Sequence, residues 1–468
     1  MMRPMKTPKS RKNAPAFSRH KQPAAEAEGM APRRAALAVL KGILAENLLF
    51  DDVFERATAH LNPRDQSLCH ALVGATLRGL RPIDKVITRL MERPFRASST
   101  ERMILQLGMA QLYYLDGIKP HAAISTSVDL TRLSGCGQSS GVINGVLRSA
   151  QRQFETLSTK PEDAVPTWLA LALQQADPSG WPGLAAAMLA RAPLDVRLRP
   201  SASPETRQAY LALGAPLPQR ADVFRLPVAT DPAALPGLAE GEVYIQDAGA
   251  QLPADVLTRL LATLPALPAG PVLDVCAAPG GKTLQLADGL PVETNLVALD
   301  INPRRIGRLR ENLHRCGASR VPVVVADGGQ LPFAAGSCAA VLLDAPCTAT
   351  GTTRRHPEVL HLRQPADVTQ LVATQRALLR EAARVLAPGG VLVYAVCSLL
   401  PAEGEAQQAW AAARLPGAGP VKLESAAMAV PPAVVTEAGA LRLRPDSPDL
   451  ATDGFFIAAF TKARPLAL

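Results

Sequence analysis

VLDVCAAPGGKT, residues 272–283, runs a short apolar segment into an aspartate, a glycine-rich turn and a Lys-Thr pair that opens a helical pattern. A strand that ends at Asp274, turns, and enters a helix near Lys282 aims backbone N–H groups at a ligand. Neither common phosphate motif is satisfied. Cys276 stands where GxxxxGK(S/T) needs its first glycine, and GxGxxG is absent. The stretch therefore predicts a Rossmann-like crevice for a ligand that carries no pyrophosphate.

The residues that follow extend the pattern. After Gly241 short β-rich runs, PVLDV, NLVALD, VPVVVAD, AAVLLDAP and VLVYAVC, alternate with helical ones. Such alternation predicts a doubly wound parallel sheet, with GFFIAAF (454–460) as a further strand. In the segment after NLVALD, Asn302-Pro303 supplies a cap and a first-turn proline. Ile306, Leu309 and Leu313 give the buried stripe of that helix, and Gly317 ends it. Four successive strands end in Asp274, Asp300, Asp327 and Asp344. One such aspartate is an ordinary turn residue or helix cap. All four share the rim where open α/β sheets bind ligands. Asp300 is placed to hold a ribose diol and Asp327 an adenine amino group. An acidic rim suits an adenosyl sulfonium better than a phosphate, so the expected cofactor is S-adenosylmethionine, held by Cys276, Ala277, Ala278, Pro279, Gly280, Gly281, Lys282, Asp300, Asp327 and Asp344.

Two cysteines stand at the ends of later strands: Cys347 in VLLDAPCTATG (341–351) and Cys397 in LVYAVCSLLPAEGE. From the residues alone, either thiol is a candidate nucleophile. The chain has seven cysteines, with no CxxC pair and no secretory signal, so they read as reduced intracellular thiols and not as a disulfide framework or metal site. Cys69, Cys136, Cys316 and Cys338 read as small packing residues.

At 468 residues the chain is expected to hold several domains. No apolar run is long enough to span a membrane, so a cytoplasmic location is expected. The formal charge of +9 is concentrated at the start: residues 1–34 carry nine basic against two acidic side chains, a net +7. Rich in proline and without apolar period, residues 1–30 read as a disordered basic tail, either an RNA-binding arm or a solvated appendage. Residues 31–155 have helical periodicity, as in RRAALAVLKGILAENLLF and ERMILQLGMAQLYYL, and predict an all-α bundle. Residues 156–240, rich in Pro and Ala, read as a connector or small subdomain, and 241–468 as the α/β domain.

DVCAAPGGKT, ALDINPRRIGRLRENLHRCG, LLDAPCTATGTTRRHPE and LVYAVCSLLPAEGE resemble, in order, motifs of the Sun/Nop2 RNA cytosine-C5 methyltransferases. KPHAAISTSVDL and GVINGVLR are similar to the NusB-like RNA-binding domain of the family's bacterial Sun/Fmu, or RsmB-like, branch. The match spans about residues 31–462. It implies a NusB-like helical bundle followed by a class I methyltransferase domain, and C5-methylation of a cytosine in small-subunit (16S) ribosomal RNA by a monomer. It also implies roles: Cys397 attacks cytosine C6, Cys347 assists release, and Asp344 bonds the cytosine N3 edge. Arg354, Arg355 and His356, next to the Cys347 loop, are expected to meet RNA phosphates, a solvated loop being the alternative. Departures from the family pattern are Val396 in place of a threonine before Cys397, Arg199 near an expected asparagine, and RLRPDSPD, which lacks a histidine after its proline. The rival functions are a non-catalytic NusB-like assembly factor and a methyltransferase acting on tRNA or DNA. A DNA-type enzyme would attack from Cys347 and have no use for Cys397.

Overall fold

A computed structural model describes residues 29–153, 160–228 and 230–463. The expected basic tail lies outside them except for Gly29 and Met30.

The helical periodicity of the first part resolves into α1 (Met30–Leu44), α2 (Phe50–Thr58), α3 (Pro63–Leu90), α4 (Thr100–Tyr113), α5 (Pro120–Leu133) and α6 (Ser140–Arg152). Local chemistry sets the starts. Asn62 and Ser99 accept from the backbone N–H three residues on, and Pro63 occupies the first turn of α3. The stripes meet in one core that includes Val39, Leu40, Leu72, Leu77, Met103 and Leu147.

The connector is more ordered than its composition suggests. It contains α7 (Thr167–Ala176), α8 (Trp181–Leu189), β1 (Leu194–Leu198), α9 (Pro204–Leu213), β2 (Pro216–Leu217), β3 (Arg220–Leu226) and β4 (Val243–Ile245). The four strands form an antiparallel sheet in the order β2-β3-β1-β4. The expected boundary at 240 therefore falls one strand early, because β4 pairs with β1. Arg199 does structural work here: it pairs with Asp288 at 2.7 Å and donates to the Cys316 carbonyl, clamping this sheet to the next domain.

The last part continues through α10 (Ala248–Ala262), β5 (Val272–Val275), α11 (Gly281–Gly289), β6 (Leu296–Asp300), α12 (Pro303–Arg315), β7 (Val323–Val325) and β8 (Cys338–Asp344). It ends with α13 (Val359–Leu362), α14 (Pro365–Val385), β9 (Leu386–Val396), α15 (Glu405–Arg414), β10 (Ala418–Val421), α16 (Ser425–Met428), β11 (Leu441–Leu443) and β12 (Phe455–Lys462). The sheet order is β10-β12-β9-β8-β5-β6-β7, with β11 also on β12. Strands β7 to β9 are parallel, whereas β12 runs antiparallel to β9.

Alternation along the strands fills both faces of this sheet. Val272, Leu342, Val393 and Ile457 point into one core; Leu273, Val341, Leu392 and Phe456 point into the other. Val396, the departure before Cys397, is buried at the end of β9. Successive strands are laid outward from β5 to β7 and then, after a return, from β8 to β9. The order in which strands are added therefore reverses beside β5, which opens a crevice at the carboxyl ends of β5, β6 and β8. Among the described residues no helix is long and apolar enough to cross a membrane.

Candidate active site

At the mouth of the crevice, the loop after β5 is held in an unusual backbone shape. Cys276 has φ +64°, the left-handed region that glycine favours. The position that departs from the phosphate motif thus keeps a glycine-like conformation while carrying a side chain. Gly280, at φ +107°, caps α11. A Cβ there would stand 2.6 Å from the end of the Leu309 side chain, and at this positive φ any L side chain is strained, so both favour glycine. Ala278 N donates to Asp300 Oδ2 at 3.2 Å, and Asn312 Nδ2 donates to the Pro279 carbonyl at 2.9 Å.

The four strand-end aspartates divide. Asp274 is wholly buried, accepts from Thr283 Oγ1 at 2.6 Å, and is pushed by burial up to about 7. Its Oδ1 has no protein partner. Asp300 is also buried and takes backbone N–H bonds on both oxygens, from Ala278 and from Asn302. Asp327 is exposed, lies past the end of β7, and accepts from Gly329 N. Asp344 receives the Lys282 ammonium at 2.7 Å. Burial pulls Lys282 down, but Asp344 outweighs it and holds the ammonium above its ordinary value.

A cavity of about 380 Å³ adjoins this loop, walled by Asp274, Ala277, Ala278, Pro279, Gly281, Lys282 and Asp344 on one side and by Tyr244 and Gln246 of the connector sheet on the other. Asp300 and Asp327 are not among its walls. The donor set fits the adenosyl cofactor S-adenosylmethionine. It offers the loop backbone, the carboxylates of Asp274 and Asp344, an unpartnered Asp274 oxygen, and two cations, Lys282 and Arg315, of which Lys282 is already paired with Asp344.

The two cysteine loops meet. Cys347 Sγ and Cys397 Sγ are 3.4 Å apart. Cys347 is buried, and its thiol is pushed well up by the hydrogen bond with Cys397 and by burial. Behind the pair stands Glu403, fully buried, which the sequence reading missed. It accepts from Thr348 N at 3.0 Å, Thr348 Oγ1 at 2.5 Å, Ser398 Oγ at 2.6 Å and Gln375 Nε2 at 3.0 Å. Thr348 follows Cys347 and Ser398 follows Cys397, so one carboxylate fixes both loops. The signal was PAEGE, inside a quoted motif, whose two acids, Glu403 and Glu405, have no apolar role. Gly351 N donates to the Cys397 carbonyl at 3.0 Å. A Cβ on Gly351 would meet the Gly454 carbonyl at 2.1 Å, so any side chain there would push the Cys347 loop off the lead-in to β12.

The expectation for Arg354 and Arg355 needs correction. Arg354 is 4 % exposed and donates to Asp453 Oδ1 from both Nε and Nη2; Arg355 bonds Asp453 and Asp247. Their charge is spent inside the fold, against aspartates from α10's cap and the lead-in to β12. His356 pairs with Glu358 at 3.2 Å. Arg444, in the RLRPDSPD segment, is likewise bound to Asp446 and Asp177.

Comparison with known proteins agrees with this architecture. Residues 30–152 match the NusB family, and residues 262–461 match the family described as 16S rRNA methyltransferase RsmB/F. The chain is 34% identical to ribosomal RNA small subunit methyltransferase B of Salmonella arizonae, covering 80% of this chain and 88% of that one. It is 35% identical to the protein of the same name from Pseudomonas putida, over 85% of this chain and 92% of that one. A crystal structure of PH0851 superposes with a TM-score of 0.75 at 20% identity, covering 92% of this chain and 99% of that one, and shares the fold. A bundle of the NusB type joined to a class I methyltransferase sheet, with identity of this level along most of the chain, places the protein in the ribosomal RNA small subunit methyltransferase B family.

Proposed function

We propose that the protein methylates C5 of a cytosine in small-subunit (16S) ribosomal RNA through a covalent bond between Cys397 and cytosine C6. The observation that carries this reading is the contact of two thiols, 3.4 Å apart, on the rim that also holds Asp344 and the cofactor loop. Cytosine C5 is too weak a nucleophile to take a methyl group unaided, and addition of a thiolate at C6 gives C5 enamine character. S-adenosylmethionine, when bound, supplies the electrophilic methyl group that C5 accepts.

The chain's own groups do the rest. Lys282 fixes Asp344 through Oδ2, leaving Oδ1 for the N3–H of the adduct. Cys347, held as a thiol by burial and by its neighbour, stands beside the sulfur that must depart. After that thiol has given its proton to solvent, the Cys347 thiolate takes the C5 proton, the C5–H pair forms the C5=C6 double bond, and the C6–S bond breaks to return the Cys397 thiolate. The target base has to leave its stack to reach these groups. Ala277, Ala278, Pro279, Gly280, Gly281 and Lys282 hold the cofactor in this reading; Asp300, outside the walls of that cavity, serves by holding the loop at Ala278 N, and Asp327 lies outside those walls as well.

The knockouts should differ. Cys397→Ala should be inactive and form no bond to RNA. Cys347→Ala should still attack and accept the methyl but release slowly, so a methylated protein–RNA adduct survives denaturing electrophoresis and vanishes in the double variant. If Cys397→Ala traps the adduct and Cys347→Ala does not, Cys347 is the nucleophile and the proposal fails in favour of the DNA-type mechanism. Bisulfite mapping of rRNA from a deletion strain identifies the base.

A further inference from the structure

A second cavity, of about 430 Å³, lies away from the methyl-transfer site, between α3 of the bundle, α8 of the connector and the turn after Lys160. Its charged walls are all basic or imidazole: His70, Arg78, Lys160 and Arg191. Among the described residues no carboxylate lines it. The remaining walls are alanines, prolines, leucines and the Tyr114 ring.

Its cations outnumber the carboxylates that act on them, Glu358 on Arg78 and Asp163 on Lys160. Arg78 gives Nη2 to the Arg354 carbonyl at 2.5 Å, while its Nε is buried without a partner. Among the described residues, Arg191 and Lys160 make no ion pair. Of those carboxylates, Asp163 is bonded to Lys85 at 2.7 Å and Glu358 to His356 at 3.2 Å, so neither bonds a cation of the cavity. Burial, then the charge of Arg191, brings the Arg78 guanidinium down to about 10. A concave site with apolar walls, three cations on its lining and a buried, unpartnered Arg78 Nε asks for an anion attached to a flat apolar body. The floor is tied to the Arg354 carbonyl, seven residues beyond Cys347, so the cavity is coupled to the segment leaving the active-site loop.

We propose that this cavity is a nucleotide subsite for the RNA substrate: one unstacked base lies against the apolar wall, with its phosphate between Arg78, Lys160 and Arg191. The proposal rests on the RNA-methyltransferase reading and adds a contact between the RNA and the bundle–connector junction. Unstacked bases held against aromatic or apolar faces are the usual means by which single-stranded RNA is gripped.

Two kinds of variant of the full chain test it, with an unmodified small-subunit rRNA transcript as the probe. Arg191→Glu reverses an exposed charge and should weaken binding about tenfold, with the log–log salt slope shallower by about 1. Ala186→Trp fills the space from the exposed side of α8 without changing charge; Ala186→Phe is the milder version. Both should weaken binding severalfold while leaving the salt slope unchanged. The rate at saturating RNA should stay at the parent value in all three, which also shows that they fold. If Arg191→Glu weakens binding but neither filled variant does, attraction is a diffuse field and the subsite is overturned; unchanged affinity in all three overturns it as well. The position of the methyl group, read by bisulfite on the parent enzyme, tests the C5 reading separately, so failure of one can be told from failure of the other.

Discussion

The Cys347 loop and the RRHPE segment seven residues on look alike in sequence: each is a short polar stretch leaving the rim of the sheet. The structure uses them in opposite ways. Cys347 meets Cys397, fifty residues away, at a strand end where chemistry can occur. Arg354 and Arg355 turn inward and neutralise Asp453 and Asp247. A reactive side chain on a strand end is placed by the sheet itself. A charge on a loop is placed by partners that are 99 and 108 residues away, and local sequence does not announce them.

Breaking the buried ion pair is the strongest challenge to that contrast. Removing one member strands a buried charge, which costs roughly 3–5 kcal/mol. Arg354→Ala should therefore lower stability by about that amount in urea unfolding, while the fraction that stays folded binds RNA as before. Full stability with weakened RNA binding would return Arg354 to the phosphate-contact role and erase the contrast.

On the other side of the comparison, Glu403 orders the cysteine loops without touching substrate. Glu403→Gln keeps the shape but loses two of four charge-assisted bonds, at roughly 1.5–3 kcal/mol each. The expected result is a fall in kcat of about 100-fold or more, with the KM for RNA little changed. A rise in KM alone would show that Glu403 shapes the RNA surface and not the thiol pair.

Asp300 tests whether the acidic rim serves the cofactor. Loss of charge-assisted bonds costs roughly 1.5–3 kcal/mol, so Asp300→Ala should weaken S-adenosylmethionine binding about 10- to 150-fold by calorimetry. Unchanged affinity would remove Asp300 from the site.

These tests also mark what could be read from the chain. The helix with Asn302, Pro303, Ile306, Leu309 and Leu313 was legible because cap, first-turn proline and stripe agree within thirteen residues. The parallel strands were legible from their β-branched runs. The connector sheet was not, because β2 has two residues and β4 three, too few to show a period. The same holds for β10 and β11, the first interrupted by Gly419 and Pro420. Glu403 was hidden because its role lies in joining two loops that only the fold brings together.

Asp274 sharpens the comparison at the smallest scale, since the sequence counts it with Asp300 and Asp344 while the structure seals it under Thr283. Burial raises its folded value to about 7, well above the ordinary value of 3.8. An acid raised in the folded state favours folding in its protonated form. That contribution is complete below about pH 4, declines as pH rises, and is gone above about 7. Asp274→Asn keeps a neutral acceptor for Thr283 at every pH. The variant and the parent should therefore have similar stability near pH 4, and the variant should gain on the parent up to pH 7 and no further. Thermal unfolding across pH 4–8 without cofactor measures this. A constant difference across that range would mean that Asp274 carries its charge throughout and belongs with the other rim aspartates.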